Sequence, residues 1–277
     1  MSRLHKSLTI GLSVLALTVA ANAGAATLKA SYFFDNTLAS STAGAPDLVA
    51  IDPSGTSGFV TDTVYGNSRQ VFHVGGTNAN ANQGGLAFNS TGLLTSDSYS
   101  VALTFEFFDR ANAWRRILDV TNRTSDAGFY VDPGNQLDVY PISGSSVAFT
   151  NDVYRNVALT VGPAGPNNVT GYIDGIGSFT TTTNTLDLLP GGLINLFIDN
   201  NMGGGQGEWS TANIASARFY DGVLTAAEVG AINHDPVTPP PVGGVPEPAS
   251  WAMMLVGFGS IGTVLRRRTM TGPAITA

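Results

Sequence analysis

The sequence contains no cysteine, which excludes both a disulfide framework and a thiolate metal site. Basic residues are also scarce, because residues 27–234 hold 18 acidic side chains and only 8 basic ones. Nucleic-acid binding needs a basic surface, so this acidic body excludes nucleic acid as a partner. Neutral glycans, cations or basic surfaces are the partners that such a charge balance favours.

The residues of the common catalytic sites are sparse as well. The body has three glutamates, Glu106, Glu208 and Glu228, and they are widely separated in the sequence. Glycoside hydrolysis needs two carboxyl groups about 5 to 10 Å apart, and no strand segment supplies such a pair. His73 lies alone in "RQVFHVGG", without the serine elbow of a hydrolase. These absences predict a protein that is not an enzyme.

Alternating apolar residues are the main pattern of the body, and helical periodicity is nearly absent. Residues 100–108, 156–162, 193–199 and 214–220 read as strands, and the Asp-Gly in "YIDGIG" predicts a tight hairpin. Thr225 and Glu228 have the spacing of a capping box and predict one short helix. The sequence therefore predicts an all-β fold in which two antiparallel sheets pack as a sandwich or jelly roll.

Both ends of the chain read as targeting segments. Residues 1–26 combine a charged start, an apolar stretch and the small residues "ANA", which is the pattern of a secretory signal peptide and predicts export by the Sec machinery. At the other end, a proline-rich linker (235–248) precedes an apolar run (249–265) that is just long enough to cross a membrane as a helix. The basic tail (266–277) would stay on the cytoplasmic side.

The C-terminal pattern is more specific than that of an ordinary anchor. The triplet Pro246-Glu247-Pro248, the block that starts at Trp251 and the closing residues Arg266, Arg267 and Arg268 resemble the PEP-CTERM sorting signal of exopolysaccharide-producing Gram-negative bacteria. This resemblance, over residues 246–268, implies recognition by an exosortase. It also implies transient anchoring in the inner membrane, followed by delivery to the cell surface or extracellular matrix.

The body itself, residues 27–234, resembles the laminin G-like form of the concanavalin A-like lectin/glucanase fold. Three stretches carry this resemblance in the family's order: "ASYFFDNTLASSTAGAPDLVA", "YRNVALTVGPAGPNNVTGYIDGIG" and "INLFIDNNMGGGQGEWSTANIASARFYDGVLTAAEV". It implies a binding domain for carbohydrate or for a surface partner. A structural matrix component without a discrete ligand is the alternative, and a glycoside hydrolase is a third reading.

Candidate site residues follow from this interpretation. Trp114 with Arg115, and Trp209, are candidates for ligand contact, because an exposed aromatic ring stacks on a sugar while polar groups bond its hydroxyls. The resemblance also implies Ca²⁺ at one rim of the domain. Asp199, Asn200 and Glu208, which share the loop "FIDNNMGGGQGEW", are the predicted oxygen ligands for Ca²⁺.

Overall fold

The computed structural model describes residues 25–76, 82–142, 149–201 and 207–232. The predicted signal peptide up to residue 24, the proline-rich linker, the apolar run and the sorting residues lie outside these ranges. No helix in the described part of the chain has the length and hydrophobicity that a membrane crossing needs. The described residues all belong to one compact unit.

The described residues form an almost entirely β structure with one short helix. Its elements are β1 (Thr27–Tyr32), β2 (Val49–Ile51), β3 (Gly58–Val64), β4 (Asn67–Val74), β5 (Gly85–Asn89), β6 (Tyr99–Phe107), β7 (Arg115–Asp119), β8 (Gly128–Val131), β9 (Leu137–Tyr140), β10 (Arg155–Val161), β11 (Val169–Ile173), β12 (Ile176–Thr181), β13 (Leu193–Leu196), β14 (Ala212–Asp221) and α1 (Ala226–Ala231).

The strands form two antiparallel sheets, as the period-2 pattern predicts. The larger sheet has the order β12-β11-β10-β6-β14-β4-β3, with β1 paired to the second half of β14. The smaller sheet has the order β2-β5-β13-β7-β8-β9. Their facing sides share one apolar core, to which Leu103 and Phe105 of the larger sheet and Leu118 and Phe129 of the smaller sheet belong. This confirms the predicted sandwich of the concanavalin A-like type.

Local sequence signals account for the turns and for the helix. The hairpin between β11 and β12 turns at Asp174 and Gly175, which both have positive φ, as a tight two-residue turn requires. Thr225 caps α1, and Glu228 completes the capping box, so the predicted helix is confirmed. The predicted strand 193–199 ends early, at Leu196, because Phe197 adopts a φ of 62° and packs its ring 4.9 Å from that of Phe105.

The outer faces of the sheets are covered to a degree that strand alternation does not predict. Every residue of β6 is buried, although only alternate residues face the core. On the outer side of the larger sheet, α1 and Leu224 pack on Ala102 and Ala158. A separate apolar cluster joins Val64, Val71, Tyr154 and Ala215 near the hairpin of β3 and β4.

Gly85, at the start of β5, lies close to the segment from Leu196 to Ile198 and can be used to test the packing of the sandwich. A Cβ at Gly85 would lie 2.6 Å from Cβ of Ile198 and 2.7 Å from the carbonyl oxygen of Leu196. We therefore expect Gly85→Ala to lower the free energy of unfolding by roughly 1–3 kcal/mol, measured by urea titration. Gly58→Ala is the matched control, because Gly58 also begins a strand but has nothing within 4 Å of its Cβ position. Equal losses in both variants would contradict this packing.

Candidate functional site

Three aromatic side chains, Trp114, Tyr130 and Tyr140, cluster on the outer face of the smaller sheet. Together with Glu208, which contacts Tyr130, we call them the platform. The ring of Trp114 lies 5.5 Å from that of Tyr130 and 5.6 Å from that of Tyr140, edge to face in both cases. Tyr130 is buried, Trp114 is half-buried and Tyr140 is 40% exposed. The cluster is thus anchored at Tyr130 and open to solvent at Trp114 and Tyr140.

Register explains why these side chains meet. Tyr130 of β8 pairs with Arg116 of β7 on one side and with Asp138 of β9 on the other. Trp114 stands two positions before Arg116, and Tyr140 stands two positions after Asp138, so all of them point to the same side of the sheet. The opposite side of these strands carries the core residues Phe129, Val131, Leu137 and Val139.

A buried ionic network around Arg116 contacts two members of the platform, Tyr130 and Glu208. The guanidinium of Arg116 lies 3.0 Å from Oδ2 of Asp119, 3.7 Å from Oδ1 of Asp199 and 3.5 Å from Oε2 of Glu208. Arg116 also donates to the hydroxyl of Tyr130 and lies over its ring. A charged group this deeply buried needs such partners, so the network fixes Tyr130 and with it the platform.

Glu208 is the polar member of the platform at the surface. Its Oε2 lies 2.8 Å from the hydroxyl of Tyr130. Burial, a hydrogen bond with Asp199 and the charge of Asp199 together raise the pKa of Glu208 to about 8, although Arg116 acts in the opposite direction. This shift favours the protonated carboxyl group at neutral pH, with its proton in the hydrogen bond with Asp199 and its oxygens as hydrogen-bond acceptors.

The predicted metal ligands lie together, with protein partners around them. Asp199 and Asn200 are fully buried. The carboxylate of Asp199 accepts from the backbone N–H groups of Asn200 and Glu208. In the part of the chain that the structure describes, no group of three or more His, Cys, Asp or Glu side chains has a geometry that could hold a metal ion. Calcium at these residues stays a prediction.

The other predicted contact residues are placed differently from Trp114. Arg115 is fully buried, donates to Oδ1 of Asn151 and Asn135, and lies over the ring of Phe107 at 5.3 Å. This burial gives no support to the prediction that Arg115 contacts a ligand. Trp209 is half-buried beneath the guanidinium of Arg110, 5.0 Å from its ring.

The structure also reveals a carboxyl pair that the sequence did not indicate. Glu106 of β6, only 7% exposed, forms a hydrogen bond with Asp62 of β3 on the outer face of the larger sheet. Burial, this hydrogen bond and the charge of Asp62 raise the pKa of Glu106 to about 8. Burial alone would raise the pKa of Asp62 too, but hydrogen bonds from Tyr154, Asn213 and the Thr63 backbone hold it below its usual value.

Glu106 in β6 and Glu208 in the segment before β14 are therefore each joined to an aspartate. In both pairs, Glu106 with Asp62 and Glu208 with Asp199, the carboxyl groups are hydrogen-bonded to one another. Glycoside hydrolysis needs a separation of about 5 Å or more, so that a sugar or a water molecule fits between the two groups. Neither pair leaves that space.

The two packed antiparallel sheets define a β-sandwich of the concanavalin A-like type. Residues 80–230 match the family model of the concanavalin A-like lectin/glucanases superfamily, and the chain belongs to this family. Residues 244–268 match the PEP-CTERM protein-sorting motif, which indicates export and membrane-associated sorting. A search of curated proteins gives no significant match.

Solved structures show the same fold at low identity. Domain 4 of AbnA, an extracellular arabinanase from Geobacillus stearothermophilus solved with arabinotriose, is similar with a TM-score of 0.56 and 20% identity, over 75% of this chain and 98% of that one. Botulinum neurotoxin type C is similar with a TM-score of 0.51 and 13% identity, over 74% of this chain and 50% of that one. The binding domain of Paraclostridial Mosquitocidal Protein 1 has a TM-score of 0.50 and 12% identity, with 74% and 51% covered. At these identities the similarity shows the fold.

The raised pKa of Glu106 predicts how stability depends on pH. Between the ordinary value of 4.5 and about 8, the folded chain keeps a proton that the unfolded chain has lost. The free energy of unfolding should therefore fall as the pH rises through this window and level off above about 8. Glu106→Gln, which keeps a donor to Asp62 but does not titrate, should flatten this slope in urea titrations at pH 5, 6, 7 and 8.

A background contribution and one control variant define the result. Glu208 contributes a slope of the same sign, so the Glu106→Gln variant keeps a part of it. Glu228→Gln, in the capping box of α1, should keep the slope of the parent protein. An unchanged slope in Glu106→Gln would show that Glu106 holds no proton in the folded state at neutral pH.

Proposed function

We propose that this chain is an exported, exosortase-processed protein whose laminin G-like domain binds neutral carbohydrate without cleaving it. The observation that carries the proposal is the platform, where Trp114 and Tyr140 present aromatic surface beside the hydrogen-bonding carboxyl group of Glu208. Sugars are bound by stacking of their apolar faces on aromatic rings and by hydrogen bonds to their hydroxyls. The platform offers both kinds of contact.

The charge of the domain supports a neutral ligand. The body is strongly acidic, and the exposed Asp126 lies close enough to Glu208 to influence its ionisation. A polysaccharide that carries carboxylate or sulfate groups would be repelled at this surface. Arabinotriose, which is bound in the AbnA structure, is an uncharged sugar, and this favours the same ligand class here.

A binding role fits the site better than hydrolysis does. The neighbouring folds include binding domains as well as a domain of an arabinanase. In this chain the two raised-pKa glutamates are occupied by direct hydrogen bonds to aspartates, which favours a structural and binding role for both. A structural matrix component without a discrete ligand is the alternative, and it would show self-association in place of sugar binding.

The two targeting segments supply the proposed route. The signal peptide takes the chain through the Sec machinery, and the apolar run after the PEP triplet holds it in the inner membrane for a time. The exosortase then processes the tail, and the domain reaches the cell surface or the polysaccharide matrix of a Gram-negative bacterium. The match of residues 244–268 to the sorting motif supports this route.

Sugar binding is tested on residues 27–234, which contain the whole described core. The probes are debranched arabinan, galactomannan and dextran, with polygalacturonate as the acidic control, each with and without Ca²⁺. We expect binding to at least one neutral probe in affinity electrophoresis, and roughly tenfold weaker binding in Trp114→Ala and Tyr140→Ala, because each change removes stacking area. Ile176→Ala, at a more exposed apolar residue far from the platform in the sequence, is the control.

The possible outcomes separate the candidate functions. Binding only in the presence of Ca²⁺ would support the predicted site at Asp199, Asn200 and Glu208. Release of reducing ends from any probe would support the hydrolase. Absence of binding together with self-association would support the structural matrix component and contradict our proposal.

Sorting is tested with the full chain in a host that carries an exosortase. Replacing Pro246, Glu247 and Pro248 by alanine should leave the chain unprocessed and in the membrane fraction, because the processing enzyme no longer recognises it. Replacing Pro239, Pro240 and Pro241 by alanine is the matched control, since it removes three linker residues outside the motif. Immunoblots of membrane and released fractions measure the result, and equal release of both variants would contradict the proposed recognition.

A further inference from the structure

A second surface with exposed aromatic rings lies on the outer face of the larger sheet, on the side of the sandwich opposite the platform. It is a continuous row of contacts, which we call the histidine row and which consists of Phe108, His73, Asn213, Asp62, Tyr154 and Tyr65. The ring of Phe108 lies 6.2 Å from that of His73, and the ring of Tyr65 lies 6.5 Å from that of Tyr154. Phe108 is 37% exposed and Tyr65 is 42% exposed, so each end of the row carries a solvent-exposed aromatic ring.

Hydrogen bonds fix the middle of the row. Nδ2 of Asn213 donates to Oδ2 of Asp62 at 2.6 Å, and the hydroxyl of Tyr154 donates to the same oxygen at 2.8 Å. Because the amide nitrogen of Asn213 faces Asp62, its Oδ1 faces Nδ1 of His73, at 2.8 Å. An amide oxygen only accepts, so Nδ1 of His73 must carry the proton.

This relay determines what His73 presents to the surface. A neutral imidazole that is protonated on Nδ1 has an acceptor lone pair on Nε2. Among the described residues, none forms a hydrogen bond with Nε2, and the ring of His73 is only half-buried. The relay from Asp62 through Asn213 thus holds a hydrogen-bond acceptor beside the exposed ring of Phe108.

The chemistry of the row matches an uncharged sugar. The two open rings offer stacking area, and Nε2 of His73 accepts a hydrogen bond from a hydroxyl group. Protonated Glu106 lies behind Asp62, so this carboxyl pair carries one negative charge at neutral pH. The exposed Asp152 lies near enough to Glu106 to influence its ionisation, and its charge disfavours anionic ligands here, as Asp126 does at the platform.

Neither catalysis nor metal binding accounts for the row as well. Asp62 and Glu106 are hydrogen-bonded to each other and leave no space for a scissile bond between them. The combination of His73, Asp62 and Glu106 does not form a metal-binding group within the described residues. The row therefore offers two solvent-exposed aromatic rings and, between them, the oriented acceptor Nε2 of His73.

We propose that the histidine row is a second site for neutral polysaccharide, and that a single domain bridges two polysaccharide chains. This inference rests on the proposed function of the platform. The two surfaces belong to different sheets and lie on opposite outer sides of one core, so one chain cannot easily occupy both of them. Two separate chains bound to one domain would be cross-linked without any new protein contact.

Bridging is measured with residues 27–234 and long galactomannan, dextran or debranched arabinan, by sedimentation and light scattering. We expect the parent domain to aggregate the neutral probe that it binds, and short oligosaccharides of that probe to inhibit the aggregation. Titration calorimetry with these oligosaccharides should give two sites per domain. Analytical ultracentrifugation shows whether the domain is monomeric, because a dimer with one site per subunit would also bridge.

Variants on each face distinguish the two sites. Phe108→Ala should reduce the stoichiometry from two to one and abolish aggregation, while binding to immobilised polysaccharide persists through the platform. Trp114→Ala combined with Tyr140→Ala should have the same effect from the other face. Ile176→Ala, an exposed apolar change at the tip of a hairpin in the larger sheet, should keep two sites.

Two substitutions of His73 test the role of its Nε2 atom. His73→Asn keeps an amide donor where Nδ1 lies but removes the acceptor, and it should weaken the second site about tenfold. His73→Gln extends an amide to the position of Nε2 and should retain more of the binding. Circular dichroism and the midpoint of urea unfolding confirm that each variant is folded.

The outcomes decide between the two proposals. Two sites that persist in Phe108→Ala, or a parent domain with one site and no aggregation, would overturn the histidine row as a ligand site and leave the platform standing. A parent domain that is dimeric and loses bridging when made monomeric would also overturn it. Failure to bind any neutral probe would overturn both the proposed function and this inference.

Discussion

The burial of Arg116 is the interaction on which the small sheet and its exposed surface depend. Its guanidinium lies among Asp119, Asp199 and Glu208, so one side chain of β7 ties together the strand's own end and the segments on both sides of residues 202–206. Removing one member of such a network leaves buried charges without partners, at a cost of about 3–5 kcal/mol. The aromatic platform is stable because Tyr130 is part of this network.

A glutamate–aspartate pair occurs on the larger sheet as well as on the smaller one. Each outer face has one glutamate that is joined to an aspartate, and in both cases burial raises the pKa of the glutamate to about 8. At neutral pH each pair carries a single negative charge, although the domain as a whole is strongly acidic. Burial of polar groups on the outer faces therefore lowers the charge where the open rings lie, which favours uncharged ligands on both sides of the sandwich.

The parts of the fold that depend on neighbouring residues could be predicted from the sequence. Alternation in "SVALTFEFF" identified the core side of β6, the Asp-Gly dipeptide identified the β11–β12 turn, and the spacing of Thr225 and Glu228 identified the helix. The family resemblance indicated a concanavalin A-like sandwich, and this is confirmed by the match over residues 80–230. Trp114 was identified as a surface aromatic, and it lies half-buried in the platform.

The parts that depend on register between distant strands could not be predicted in this way. A search for carboxyl pairs along one strand cannot find Glu106 with Asp62, because β6 and β3 are separated in the sheet by β14 and β4. Arg115 and Arg116 are adjacent and chemically identical, yet one lies over the ring of Phe107 and the other joins the ionic network. The partners of both arginines come from distant segments, asparagines for Arg115 and carboxylates for Arg116, and "NAWRR" contains no signal that identifies them.

The fold determines the tautomer of His73, which the sequence alone does not indicate. In the sequence it is a lone strand histidine, for which a structural role is the simplest interpretation. In the sheet, the carboxylate of Asp62 orients Asn213, and Asn213 in turn selects the tautomer of His73. Three residues from three strands thus determine which nitrogen accepts a hydrogen bond at the surface. Because the relay passes through side chains on β3, β14 and β4, it forms only when the larger sheet is complete, and the acceptor at Nε2 is a property of the folded sheet rather than of the histidine alone.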